Sequence, residues 1–120
     1  MNKPNKGRMA RNKGARGERE LAAELTKLMG CDHIRAAQRN GKFGADVILH
    51  DPQDDYGVHW ECKRVEALNI QEAVNQAVTD AVGENVPAVG HRKNETEWLV
   101  TIRLSDIVNF AQRIYLGVNR

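Results

Sequence analysis

A chain of 120 residues with 41% hydrophobic and 28% charged residues fits one globular domain with a modest core. Its apolar runs stay far short of the roughly 18 residues that span a bilayer, so no membrane span is expected. The first twenty residues hold no apolar stretch that could act as a secretory signal. The formal charge of +2 hides an asymmetry: Lys3, Lys6, Arg8, Arg11, Lys13, Arg16 and Arg19 face a single early acid, Glu18, so the remainder is net acidic. A basic segment on such a body points to nucleic-acid phosphates; the alternative is a solvated tail that aids solubility. Cys31 and Cys62 make no disulfide framework, and a reducing cytoplasm is the expected setting.

Residues 1–12 are polar and basic and read as a flexible arm, with the folded domain over 13–120. A helix is expected from Ala15 to Met29, with Leu21, Ala22, Leu25, Leu28 and Met29 on one stripe and Gly30 as its stop. At about 100° per residue, Glu18 lies only about 20° from Leu25, so this carboxylate falls on the inward stripe, whereas Glu20 and Glu24 fall away from it. An inward carboxylate is costly unless it is paired or bound to a metal. The alternative is a first-turn glutamate that favours the helix dipole.

His33–Ala37 reads as a short strand and QRNGKFG as a polar turn, with Arg35, Arg39 and Lys42 forming a second basic cluster. Gly44–Val65 then reads as a hairpin: GADVILHD, a break PQDDYG, and VHWECKRV. A second helix is expected from Asn69 to Val82, with Asn69 and Glu72 as a capping box. Val86–Gly90 and Trp98–Leu104 read as strands around the polar turn HRKNETE, which carries His91, Arg92 and Lys93. Ile107–Leu116 reads as a final amphipathic segment that Ser105 or Asp106 caps. The expected fold is α/β: a single domain with a mixed sheet of about five strands flanked by helices.

Within the hairpin, alternation puts His59, Glu61 and Lys63 on one face and Cys62 on the other. Closing the hairpin brings Asp46 close to Glu61. Two carboxylates beside an ammonium suit a hard divalent cation shared with a phosphate. Asp46 and Glu61 are the expected metal ligands, with the backbone carbonyl of Cys62 and Glu18, directly or through water, adding oxygens. Lys63 would orient or deprotonate the attacking water, or neutralise charge on the phosphate. The alternative for Glu-x-Lys on a strand is an exposed, salt-bridged face. Cys62 and both tryptophans read as core, and the four histidines lack a zinc-type spacing with the cysteines. No phosphate-cradling loop is present, which argues against ATP hydrolysis.

The order Glu18, Asp46, Glu61-x-Lys63 on an αβββαβ core resembles the PD-(D/E)XK nuclease superfamily. The opening KGARGERELAAEL, from Lys13 to Leu25, is similar to the start of archaeal-type Holliday junction resolvases and their phage-encoded relatives. The resemblance implies Glu18, Asp46, Glu61 and Lys63 as the catalytic set. It implies phosphate contacts at Lys13 and Arg19, to which the basic patterning adds Arg16, Arg35, Arg39, Lys42, Arg64, Arg92 and Lys93. It further implies a Mg2+-dependent homodimer, with Mn2+ as a substitute, that cuts opposed strands of four-way DNA junctions. Ala45 stands where the superfamily pattern has proline. A same-fold nuclease acting on linear, flap or sequence-specific DNA and a non-catalytic DNA-binding module are the alternatives.

Overall fold

Val58–Arg64, written VHWECKR, joins β-branched and aromatic residues to an alternating pattern and forms the middle strand of a five-stranded sheet. The computed structural model describes residues 6–36 and 44–120, with the side chains of residues 6–13 outside that description. Helix α1 (Lys6–Met29) leads into β1 (His33–Arg35), β2 (Val47–Leu49) and β3 (Val58–Arg64). Helix α2 (Ile70–Asp80) is followed by β4 (Val86–Arg92), β5 (Leu99–Thr101) and α3 (Ile107–Val118).

The strands lie in sequence order, β1-β2-β3-β4-β5. Every neighbouring pair is antiparallel except β3 and β4, which run parallel from Val58↔Val86 to Arg64↔Arg92. A parallel pair needs a crossover, and α2 provides it. On one face, Leu21, Leu25 and Met29 of α1 pack with Val47, Leu49, Val58 and Trp60, and Phe110 and Ile114 of α3 join them. On the other face, Ala73 and Ala77 of α2 pack on Val89. Helices thus cover both sides of a mixed sheet, an α/β fold of the restriction-endonuclease-like kind.

Several boundaries differ from the sequence reading. Helix α1 begins at Lys6 rather than Ala15 and takes in part of the expected arm; Arg, Met, Ala and Lys in that stretch are good helix formers. It ends where expected, with Gly30 at φ 75°, a conformation glycine adopts without penalty. Helix α2 stops at Asp80, two residues early, but its cap is as expected: Asn69 Oδ1 accepts from the Glu72 N–H at 3.1 Å. Strand β4 runs on through His91 and Arg92, because parallel pairing with β3 continues to Arg64. Strand β5 is confined to Leu99–Thr101, and a turn of 3-10 helix at Leu104–Asp106 replaces its expected end. Asp106 occupies the cap position of α3 without capping it, since its carboxylate accepts from Arg103 Nε at 2.9 Å instead.

One contact fixes where α1 crosses the sheet. A Cβ on Gly17 would lie 2.5 Å from Arg64 Cβ and 3.6 Å from Cys62 Sγ, so only glycine lets the helix approach β3 so closely there. The next residue is Glu18.

Candidate active site

The hairpin closes as the alternation requires. Val47 pairs with Trp60, and the Asp46 N–H donates to the Trp60 carbonyl at 2.8 Å. This places Asp46 one step before β2, opposite the part of β3 that carries Glu61. The Cys62 N–H then donates to Asp46 Oδ2 at 2.8 Å and fixes that carboxylate against β3. In a strand, the N–H and C=O of one residue point to the same edge, so the Cys62 carbonyl also points towards Asp46.

Glu61 is buried, at 2% exposure, on the α2 face of the sheet opposite Val89. His59, also 2% exposed, donates from Nε2 to Glu61 Oε1 at 2.8 Å. Burial, the Glu61 charge, a hydrogen bond with Glu61 and the Glu18 charge push the Asp46 carboxyl up to about 7, against the pull of the Cys62 N–H. Two carboxylates so placed repel one another and hold a proton between them.

Glu18 stands half-buried beside this pair, with its Oε2 accepting from Arg35 Nε at 3.1 Å. Burial raises its carboxyl above the ordinary range, Arg35 works against that, and the Glu61 charge adds to it. Lys63 lies on the Glu61 face by alternation, and its ammonium donates to Gln76 Oε1 of α2 at 2.9 Å. Cys62 turns to the α1 side, and burial pushes its thiol far above the range in which it could serve as a nucleophile.

A family described as "Phage putative PDDEXK endonuclease" matches residues 9–116. The chain belongs to this phage PDDEXK endonuclease family. The match takes in Glu18, Asp46, Glu61 and Lys63 together with all three helices except their outermost residues. No curated protein and no solved structure matches the chain.

The residues of this PDDEXK chain fit a hard cation in part. Among the described residues, no three His, Cys, Asp or Glu side chains form a metal cage. Besides the hydrogen bond they share, the two carboxyl groups that do meet each have one oxygen engaged by another group of the protein, Asp46 Oδ2 by Cys62 and Glu61 Oε1 by His59. Asp46 Oδ1, Glu61 Oε2 and the Cys62 carbonyl are the hard oxygen donors that a divalent cation could draw on there, and it would relieve the repulsion of the carboxylate pair.

The basic residues divide sharply. Arg16, Arg19 and Lys93 are exposed, as phosphate contacts must be. Arg35 is committed to Glu18. Arg64 Nε and Arg92 Nη1 both approach Glu20 Oε1, at 3.3 and 3.5 Å, and Arg92 also stacks over Trp98 at 5.9 Å. Glu20 therefore does not turn away to solvent, because the ends of β3 and β4 bring two guanidinium groups to meet it. Lys13 lies in α1 with its side chain outside the description, and Arg39, Lys42 and the expected QRNGKFG turn up to Phe43 fall outside the described residues. Sequence reasoning missed Gln76 and the Glu20 cluster. It put His59 on the face of Glu61 and Lys63, but alternation alone could not say that His59 grips Glu61.

Proposed function

We propose that the chain is a Mg2+-dependent endodeoxyribonuclease that resolves four-way DNA junctions as a homodimer, hydrolysing phosphodiesters to leave 5′-phosphate and 3′-hydroxyl ends. The observation that carries the reading is the approach of Asp46 to Glu61 where β2 meets the middle strand β3, with Lys63 on the Glu61 face. Asp46 Oδ1, Glu61 Oε2 and the Cys62 carbonyl would hold the cation, with Mn2+ as a substitute. Mg2+ keeps several waters and shares substrate phosphate, so two or three protein oxygens suffice. When bound, it supplies positive charge that activates water and offsets charge developing on the phosphate.

The chain's own groups do the rest. Lys63 stabilises the phosphate oxygens as they gain charge and orients the attacking water. Gln76 holds the Lys63 ammonium in place until substrate arrives. Glu18, steered by Arg35, completes the shell around the two inner carboxylates. Arg16 and Arg19, exposed on the same stretch of helix, draw the DNA backbone towards the site.

The dimer has support in α3. Ile107, Val108, Tyr115 and Val118 are 54, 65, 66 and 47% exposed, and their spacing puts them along one stripe of the helix, with Leu104 of the preceding 3-10 turn 83% exposed. Leu99 and Val100 on the edge strand β5 extend the apolar surface. A two-fold arrangement covers it on both copies at once and pairs two active sites, as symmetric cutting requires.

Labelled four-way junction, flap and linear duplex, compared at one salt concentration with a Mg2+ titration, test the reading. Symmetric nicking of the junction by wild type and none by Lys63→Ala is the expected result. Equal cutting of linear duplex would point to the broader nuclease alternative. Tight junction binding without turnover in Mg2+ or Mn2+ would point to the non-catalytic module.

A further inference from the structure

We infer that His59 is a positioning residue that makes Glu61 a one-oxygen ligand and so favours Mg2+ over Ca2+ at the site. The inference rests on the metal-dependent reading above and concerns a residue which that reading leaves without a role.

Glu61 sits at 2% exposure on the face where Val89, Ala73 and Ala77 form an apolar cluster. A carboxylate there has lost its water and needs a donor from the protein. His59, two residues earlier on the same strand and equally buried, is that donor, at 2.8 Å from Oε1. Because alternation fixes both side chains on one face of a paired strand, the imidazole cannot swing away from Glu61 without leaving its own packed position.

The consequence is a subtraction of oxygens. Oε1 of Glu61 is spent on His59 and Oδ2 of Asp46 on the Cys62 N–H, so once a cation displaces the proton the pair shares, each carboxylate offers it one oxygen. Ca2+ takes six to eight oxygens, often with bidentate carboxylates, whereas Mg2+ takes six at shorter range and retains waters. A pair of carboxylates each reduced to one oxygen meets the second requirement and falls short of the first. Hydrogen-bond partners of ligating carboxylates typically change metal affinity by about 10–100-fold when removed.

His59 also borders a cavity of about 320 Å3 lined in part by Ala45, Val58 and Asn85, which leaves room for a side chain of different shape. Three variants separate positioning from packing. His59→Gln keeps an N–H close to the position of Nε2, His59→Leu removes the donor, and His59→Asn is polar but too short to reach Glu61. Mg2+ and Ca2+ affinities are read on DNA-free protein by calorimetric titration, with the metal-free Tm of each variant alongside.

The expected result is a loss of about 10–100-fold in Mg2+ affinity for His59→Leu and a smaller loss for Ca2+, so that the preference for Mg2+ narrows. His59→Gln is expected to keep the wild-type preference, and His59→Asn to behave as His59→Leu does, which preserves the test should His59→Leu fail to fold. A lowered Tm with unchanged Mg2+ and Ca2+ affinities in both donor-loss variants overturns the inference while leaving the metal site intact. Wild type that binds neither cation overturns the metal reading and this inference with it.

Discussion

The Cys62 N–H donates to Asp46 Oδ2 at 2.8 Å, tying the first carboxylate of the site to the strand that supplies the second. The bond does not require a negative charge, since an amide oxygen also accepts it, though less strongly. Asp46→Asn therefore keeps the anchor and removes the repulsion with Glu61. Its metal-free Tm is expected to rise by about 2–5 °C, the shift that roughly 1 kcal/mol produces in a domain of this size. Thermal melts with and without Mg2+ check this: the Mg2+-induced gain expected of wild type should vanish in the variant. A clear fall in metal-free Tm would count against a clustered acidic site.

The same carboxyl sets a pH dependence. Its ordinary value is 3.8 and in the folded chain it is pushed up to about 7, so the native state holds a proton that the unfolded state releases. That contribution to stability is complete below about 3.8 and is lost as pH rises through about 7. Metal-free wild type should thus lose more Tm between pH 6 and pH 8 than Asp46→Asn does. The gain from Mg2+ should run the other way and be larger at pH 8, where both carboxylates are free to bind it. Melting curves at about half-unit pH steps, with chelator and with Mg2+, give both slopes.

Gly17→Ala tests how α1 is seated. The added methyl meets the Cβ of Arg64, which is attached to the backbone of a paired strand and has little room to give. Overpacking of this sort costs about 1–3 kcal/mol. The variant should also lose more cleavage than its stability explains, because Glu18 moves with the helix. Activity measured well below the variant's own Tm separates the two effects.

The split among arginines predicts opposite phenotypes. Arg16→Ala and Arg19→Ala should leave stability within about 0.5 kcal/mol of wild type and each flatten the slope of log K against log salt for DNA by about 1. Arg92→Ala should instead destabilise, because it strips Glu20 and Trp98 of a half-buried partner, and should leave the salt slope nearly unchanged. Paired denaturation and salt-titrated binding curves decide it.

For the α3 stripe, Val108→Asp with Tyr115→Asp should yield a monomer by size-exclusion light scattering without loss of the folded state. Both side chains are largely exposed, so the substitutions remove an interface and leave the core untouched.

Where the sequence was informative, a strict period was the reason. Alternation alone put Glu61 and Lys63 on one face and Cys62 on the other, and the helical period alone put Glu18 inward. Asn69 declared itself as a cap because its bond to Glu72 spans three residues. What stayed hidden depended on contacts between distant segments. Arg35 had the composition of a phosphate contact, and only the pairing of β1 with β2 beside α1 shows it committed to Glu18. Glu20 pointed to solvent on a helical wheel that could not include Arg64 and Arg92, 44 and 72 residues away. Asp106 had the identity of a cap, yet a guanidinium three residues upstream competed for its carboxylate and prevailed.

Trp60 precedes Glu61 in β3, and its carbonyl holds the Asp46 N–H. Its indole N–H donates to the Tyr56 hydroxyl at 3.0 Å; that hydroxyl lies 2.7 Å from His33 Nε2, and His33 Nδ1–H donates to the Cys31 carbonyl at 2.8 Å. The other tryptophan, Trp98, lies far along the chain beneath the Arg92 guanidinium. The molecule therefore carries two optical reporters in unlike surroundings, a buried indole joined to the hairpin and a half-exposed one beside a cation. Emission from Trp60, isolated by replacing Trp98 with phenylalanine, gives a label-free signal from the strand pair that would grip the cation.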